Sequence, residues 1–304
     1  MRLGLVVSWG GSLPAMSVPP GDNDLCLLTV HAHPDDEASK GATTVARYHA
    51  EGIRCVLVCA TGGEEGDIHN PAMERPKVRA NLAEVRAAEL AASVAIIGYD
   101  EVDMLGYRDS GMPESPSNEH PRAFWAAPMH ESVGALVASI RRHRPQVIMT
   151  YNDDQTGYPH PDHLRVHDIS VAAFDLAGDA NAYLDAGDPW TPSKLYYVVW
   201  SRARLQATHD MFVQMGLESP FTEEWFERPD QDDRITTSVP IEPWWEVRRD
   251  SLLAHATQID PTSPFWFGLP DDVARAVHPF DDYILAQSRV HTTVPEDDLF
   301  SGLR

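Results

Sequence analysis

The chain has 304 residues, 43% of them hydrophobic, with 46 acidic against 24 basic side chains and a formal net charge of −22. That length supplies a sizeable core in one large domain or two, and the charge excludes a nucleic-acid partner, which needs a basic footprint. Cys26, Cys55 and Cys59 fall in apolar strand-like runs without zinc-finger spacing, which reads as buried free thiols of a reducing, cytoplasmic compartment.

Residues 1–24 read as a flexible leader, rich in proline and glycine near Pro19–Asp22. The apolar run Leu3–Val7 is broken at once by Ser8-Trp-Gly-Gly-Ser12, too soon for a secretory core of about 7 to 15 residues. No segment approaches the roughly 18 apolar residues of a membrane span, so no membrane partner is expected.

Leu25–Val30 is a short continuous apolar run, the pattern of a strand buried on both faces. It leads into His31-Ala-His-Pro-Asp-Asp-Glu37 and then the Ala- and Gly-containing segment Ala38–Ala50, read as a helix. A strand passing through a polar turn into a helix places that motif at the carboxyl edge of a parallel sheet, where open α/β folds bind ligands. Pro34 fixes the turn. His33 and Asp36, three apart across it, can close on one ion while Asp35 stays free. His31 reads as a packed, hydrogen-bonded side chain, and Glu37 as an acid complementing the helix dipole.

Further strands are expected at Arg54–Ala60, Glu101–Leu105, Val147–Tyr151 and Lys194–Val199, with crossover helices at Lys77–Ile97, Met129–His143 and His163–Leu176. The result is an α/β, Rossmann-like, mostly parallel sheet flanked by helices over residues 25–200. After Val147–Tyr151 a second proline-stiffened turn, Gly157-Tyr-Pro-His-Pro-Asp-His163, repeats the geometry of the first. Were the two strands neighbours, His33, Asp36 and His163 would form a three-ligand set with an open fourth position. Mixed nitrogen and oxygen donors suit Zn2+ without excluding Fe2+ or Mn2+. Residues 201–304, richer in tryptophan, proline and acids, read as a smaller C-terminal cap or subdomain that completes the pocket.

The two motifs and their separation resemble the PIG-L/LmbE-type superfamily of zinc amide hydrolases. The likeness extends through Ser39-Lys-Gly-Ala42, Thr61-Gly-Gly-Glu-Glu-Gly66, Asn70-Pro-Ala-Met73, Arg108-Asp-Ser-Gly-Met112, Gly187-Asp-Pro-Trp-Thr191, Ser193-Lys-Leu-Tyr-Tyr197 and His255-Ala-Thr-Gln-Ile-Asp-Pro261, which resemble the mycothiol branch. Within that branch, the Ser39-Lys-Gly trio, the proline of Tyr158-Pro-His160 and the His255 segment resemble the enzymes that split mycothiol S-conjugates more than those that deacetylate N-acetylglucosaminyl-inositol. The resemblance thus implies a small-molecule thiol-sugar conjugate as partner; it fixes no oligomeric state. A deacetylase of another amino sugar and a non-catalytic zinc-binding or thiol-sensing module are the competing readings.

The resemblance also names the players. Asp35 is the general base, returning its proton to the leaving amine. Tyr158 and His160 polarise the carbonyl oxygen, and Asp162 orients a neighbouring imidazole. Lys40 would hold the cysteinyl side of a conjugate, with a solvated helix lysine as the bland alternative. Asp67, Arg86 and Asp109 match positions that hold sugar and inositol hydroxyls. Asp67 departs from the family, which often has glutamate there, and Arg86, with Glu89 three positions on, has an ordinary helix ion pair as its alternative.

Overall fold

The computed structural model describes residues 25–304; the expected leader at residues 1–24 lies outside the described residues. In chain order the elements are β1 Cys26–His31, α1 Asp36–Ser39, α2 Ala42–Ala50, β2 Arg54–Thr61, α3 Pro76–Ala80, α4 Leu82–Ile97, β3 Glu101–Tyr107, α5 Met129–His143, β4 Val147–Tyr151, α6 Pro161–Leu176 and β5 Lys194–Val199. There follow α7 Arg202–Gln214, α8 Glu223–Glu227, β6 Thr237–Pro240, α9 Trp245–Ala254, α10 Pro264–Phe267, α11 Asp271–Val277 and β7 Phe280–Ser288.

The strands form one seven-stranded sheet in the order β3-β2-β1-β4-β5-β7-β6. The first five are parallel, with β1 between β2 and β4 and Leu27 level with both Cys55 and Val147. All six residues of β1 are buried, as its unbroken apolar run predicts. Alternation divides its side chains between two layers: Leu28 and Val30 pack with Leu136, Val137, Ile169 and Phe174 of α5 and α6, while Leu27 packs on the other face with Val45 and Tyr48 of α2. Fully burying each such side chain is worth about 1.5–3 kcal/mol, enough to fix the register of the central strand. Strand order reverses between β1 and β4, so the two proline turns face each other across the crevice that this topology opens.

Two expected helices are interrupted. The segment after the first motif divides into α1 and α2 at Lys40-Gly41, because Gly41 adopts φ +89° and a Cβ there would come within 2.7 Å of Met149 Cε. The next divides at Asn81 into α3 and α4. Beyond residue 201 the chain supplies cavity-lining segments and also returns to the sheet, where β7 pairs antiparallel with β5 and β6 with β7. Among the described residues no helix is long and apolar enough to cross a membrane, and Cys26, Cys55 and Cys59 are buried free thiols.

Candidate active site

The turn after β1 is held in an unusual backbone conformation. Asp35 takes φ +106°, a region that side chains other than glycine rarely occupy. Glu37 explains how it persists: its Oε2 accepts the Asp35 N–H at 2.9 Å, while Oε1 accepts from Ser93 Oγ at 2.6 Å and lies 2.6 Å from His255 Nε2. Glu37 and His255 are both fully buried. Glu37 stands in the first turn of α1, as the sequence reading has it, and is also one half of a buried ion pair reaching 218 positions along the chain. Burial alone would raise the Glu37 carboxyl and lower the His255 imidazole, but their mutual charge and hydrogen bond, with Ser93 and the Asp35 N–H helping on Glu37 and the Asp35 charge on His255, together outweigh it in both.

The second turn approaches from β4. Asp36 Oδ2 lies 3.3 Å from His33 Nδ1 and 3.4 Å from His163 Nε2, and all three residues are buried. His33 Nε2 lies 3.3 Å from Asp162 Oδ2 and 3.5 Å from Asp109 Oδ1. Asp162, fully buried, also accepts from Ser110 N at 2.9 Å and from Ser110 Oγ. His160 caps α6, its Nδ1 accepting Asp162 N–H at 3.2 Å, and its ring meets His33 edge-on at 4.6 Å. Nitrogens of His33, His160 and His163 also fall within 4.8 Å of one another.

Burial acts first on each of the three imidazoles. It lowers His163 to about 3 and, helped by His33, lowers His160. In His33, burial is overridden by Asp109, Asp162 and Asp36, which raise it well above its usual value. An imidazole set among three buried carboxylates marks a local excess of negative charge, and mixed carboxylate and imidazole donors are a first-row divalent metal set. The residues therefore fit a metal ion.

Lys40 Nζ lies 2.6 Å from Asp36 Oδ1 and 5.5 Å from the centre of the Tyr151 ring, so its ammonium is engaged beside the cluster. Arg86 is nearly buried; it donates to Gly63 O at 2.6 Å, to Pro34 O, and to Asp35 Oδ2 at 3.0 Å. Glu89, its expected helix neighbour, instead accepts from Thr257 N at 2.8 Å and Thr257 Oγ1 at 2.6 Å. Burial raises the Asp35 carboxyl above its ordinary value despite the opposing Arg86 charge. Asp109 lies on His33 and accepts from Gly111 N at 2.8 Å, whereas Asp67 is exposed at the cavity mouth. Tyr158, 53% exposed, stands on the rim with its hydroxyl 3.7 Å from Met112 Sδ. His31 packs edge-on against Tyr151, and its ring nitrogens have no hydrogen-bond partner among the described residues, contrary to expectation. Burial lowers it to about 4, leaving it neutral.

All eleven sequence-derived candidates except Asp162 line a single cavity of about 1150 Å3. Sequence reasoning missed Ser93, Ser110 and His255 as its supports. Ser110 and His255, each inside a motif already singled out, carried a local signal; Ser93 carried none.

A mostly parallel sheet that gathers imidazoles and carboxylates at its switch point, below a wide cavity, defines an α/β protein with a buried site able to hold a metal. The profile of the PIG-L family, described as GlcNAc-PI de-N-acetylase, matches residues 28–174. A mycothiol S-conjugate amidase from Streptomyces coelicolor is 42% identical, covering 93% of this chain and 98% of its own. A 1D-myo-inositol 2-acetamido-2-deoxy-alpha-D-glucopyranoside deacetylase from Thermobifida fusca is 38% identical, covering 92% of this chain and all of its own. The solved structure of N,N'-diacetylchitobiose deacetylase from Pyrococcus horikoshii shares the fold, with a TM-score of 0.57 at 15% identity over 85% of this chain and 82% of that one. The chain belongs to the PIG-L family, among enzymes that hydrolyse amide bonds.

Proposed function

We propose that the protein is a zinc-dependent amidase that cleaves the amide between glucosaminyl-inositol and the N-acetylcysteinyl part of a mycothiol S-conjugate. The observation that carries this reading is the extent of the cavity: it continues from the His33, Asp36 and His163 cluster past Tyr158 to a wall containing Trp200, Trp225, Phe265 and Trp266. An acetyl group would leave that space unfilled, whereas an S-linked substituent fills it. The product would be a mercapturic acid, formed in thiol detoxification or in trimming a mycothiol-bearing natural product in the cytoplasm.

His33, Asp36 and His163 would hold the ion. When bound, zinc supplies acidified water and polarises the amide carbonyl. Asp35, outside that trio and oriented by Arg86, would take the proton of the attacking water and return it to the departing sugar amine. His160 and Tyr158 would stabilise charge developing on the carbonyl oxygen, a contribution of roughly 3 kcal/mol for a well-placed donor. Asp162 would orient His33. Asp67 and Asp109 would accept sugar and inositol hydroxyls, Arg86 would act on the same side, and Lys40 would contact the cysteinyl portion.

The test is to offer the zinc-loaded protein a mycothiol S-conjugate and N-acetylglucosaminyl-inositol in parallel and identify products by mass spectrometry. Faster release of the cysteine conjugate supports the amidase. Preferential release of acetate assigns the deacetylase reaction instead, and silence on both rejects the reading.

A further inference from the structure

The cavity wall supplied by the late part of the chain is aromatic. Trp200 and Phe265 stack at 5.7 Å with planes 10° apart, Trp266 meets them edge-on at 5.9 and 4.7 Å, and Trp225 lies against Phe265 at 5.4 Å. Arg228 joins this wall, with its guanidinium carbon 3.7 Å from the centre of the Trp225 ring. Its other side lies against the second-motif turn, where a Cβ on Gly157 would come within 3.0 Å of Arg228 Cδ.

The bonding state of Arg228 sets it apart from its neighbours. Arg234 pairs with Asp153 at 2.9 Å, and Arg202 donates to the carbonyl oxygens of Phe226 and Arg228. Among the described residues the Arg228 guanidinium has no carboxylate at ion-pair distance and no hydrogen bond, in a chain with 46 acidic side chains. Burial in the wall lowers its pKa, with Glu224 only partly opposing. The loop that carries it is pinned: Asp232 accepts from Arg202 N at 2.6 Å and Ala203 N at 2.8 Å, and Gln231 accepts from Asn152 Nδ2 at 2.6 Å. An arginine stacked on an indole is preorganised, with its N–H edge available to a planar anion.

We propose that Trp225 and Arg228 form a subsite for a planar aromatic substituent bearing a carboxylate on the acyl side of the substrate. This rests on the amidase reading, in which the polyol faces the carboxylate side of the cavity and the S-linked group faces the rings. The ring would stack on the aromatic wall, and its carboxylate would accept charge-assisted hydrogen bonds from the guanidinium.

Two mycothiol conjugates that differ in one group, S-(4-carboxybenzyl) and S-(4-carbamoylbenzyl), test the assignment with the zinc-loaded full chain. The wild type is expected to favour the carboxylate by about tenfold in kcat/KM, chiefly through KM. R228Q brings that ratio near one, R228K retains part of it, and R228E inverts it. A wild-type ratio near one overturns the proposal, as does an R228Q that weakens both conjugates equally. If neither conjugate is turned over, the amidase reading fails separately. The same ratio is then read from binding of the two conjugates by tryptophan fluorescence, where a wild-type ratio near one again overturns it.

Discussion

The floor of the cavity and its aromatic wall are built by different forces. The floor, residues 33–37 and 160–163, stands at the ends of adjacent parallel strands, and directional bonds among buried charges position it, with Asp162 bound to His33 and Ser110 and Glu37 bound to Asp35, Ser93 and His255. The wall, drawn from residues 200–267, is held mainly by ring contacts between 4.7 and 5.9 Å. Directional networks fix atoms to within the tolerance that bond cleavage demands, whereas stacked rings accept a range of partners. On the proposed amidase reading, the difference separates where the bond breaks from what is recognised.

Chelation gives the largest expected contrast. Removing the metal should abolish turnover and zinc should restore it, while the near-ultraviolet circular dichroism of the tryptophan wall stays constant; a collapse of that signal would show that the two regions are not independent. Next is Asp35→Asn, which should lower kcat by about 10²- to 10⁴-fold with metal content unchanged by elemental analysis. A metal-free variant would remove Asp35 from the role of base and place it among the ligands. His255→Ala strips a buried carboxylate of its partner, at a cost of about 3–5 kcal/mol, and should show in urea unfolding. It should also lower kcat, because Glu37 then holds the Asp35 turn less firmly; unchanged stability would contradict the Glu37 to His255 pairing.

The smallest effect belongs to the wall side. Asp282 of β7 accepts from Ser201 Oγ at 2.6 Å and Ser238 Oγ at 2.7 Å, and lies 2.8 Å from His278 Nε2. Burial would raise its carboxyl, but His278, Ser201 and Ser238 together hold it below the usual range. A depressed carboxylate stabilises the fold fully above its unfolded value of about 3.9, and the contribution is lost as pH falls through the folded value. Asp282→Asn should therefore cost about 1.5–3 kcal/mol at pH 7, with the gap closing progressively below about pH 4. A gap of constant size in unfolding at pH 7 and pH 3 would refute this account.

The legible parts of the molecule were those whose causes are local. The apolar run of β1 and the two proline turns announced a parallel strand pair and the side chains gathered at its edge. The interruption at Lys40-Gly41 was hidden because the left-handed turn at Gly41 packs closely on Met149, more than a hundred positions away. Glu37 had a sufficient local explanation at a helix start, so its bond to His255 left no trace in spacing. Arg86 was legible through the family resemblance and not its spacing, and its contacts with Pro34, Gly63 and Asp35 depend on how two turns close over a helix. Antiparallel β6 and β7 lie among short polar segments, and their pairing follows only once β5 offers an edge.

The antiparallel return of β7 has a consequence for how such a molecule can change. The chain turns away from β5 at Val199 and, after laying down the edge strand β6, comes back beside the same residue, where Val199 pairs with Asp282. The whole intervening stretch is thus an excursion whose two ends are already neighbours, like an arch springing from and landing on adjacent stones. Loops within that span can be lengthened or shortened without moving β1 or β4, provided His255, which holds Glu37 against the Asp35 turn, stays in place. A designer grafting chimeras at those two points can revise the guest list, so long as His255 travels with the graft as the one beam that the hearth shares with its wall.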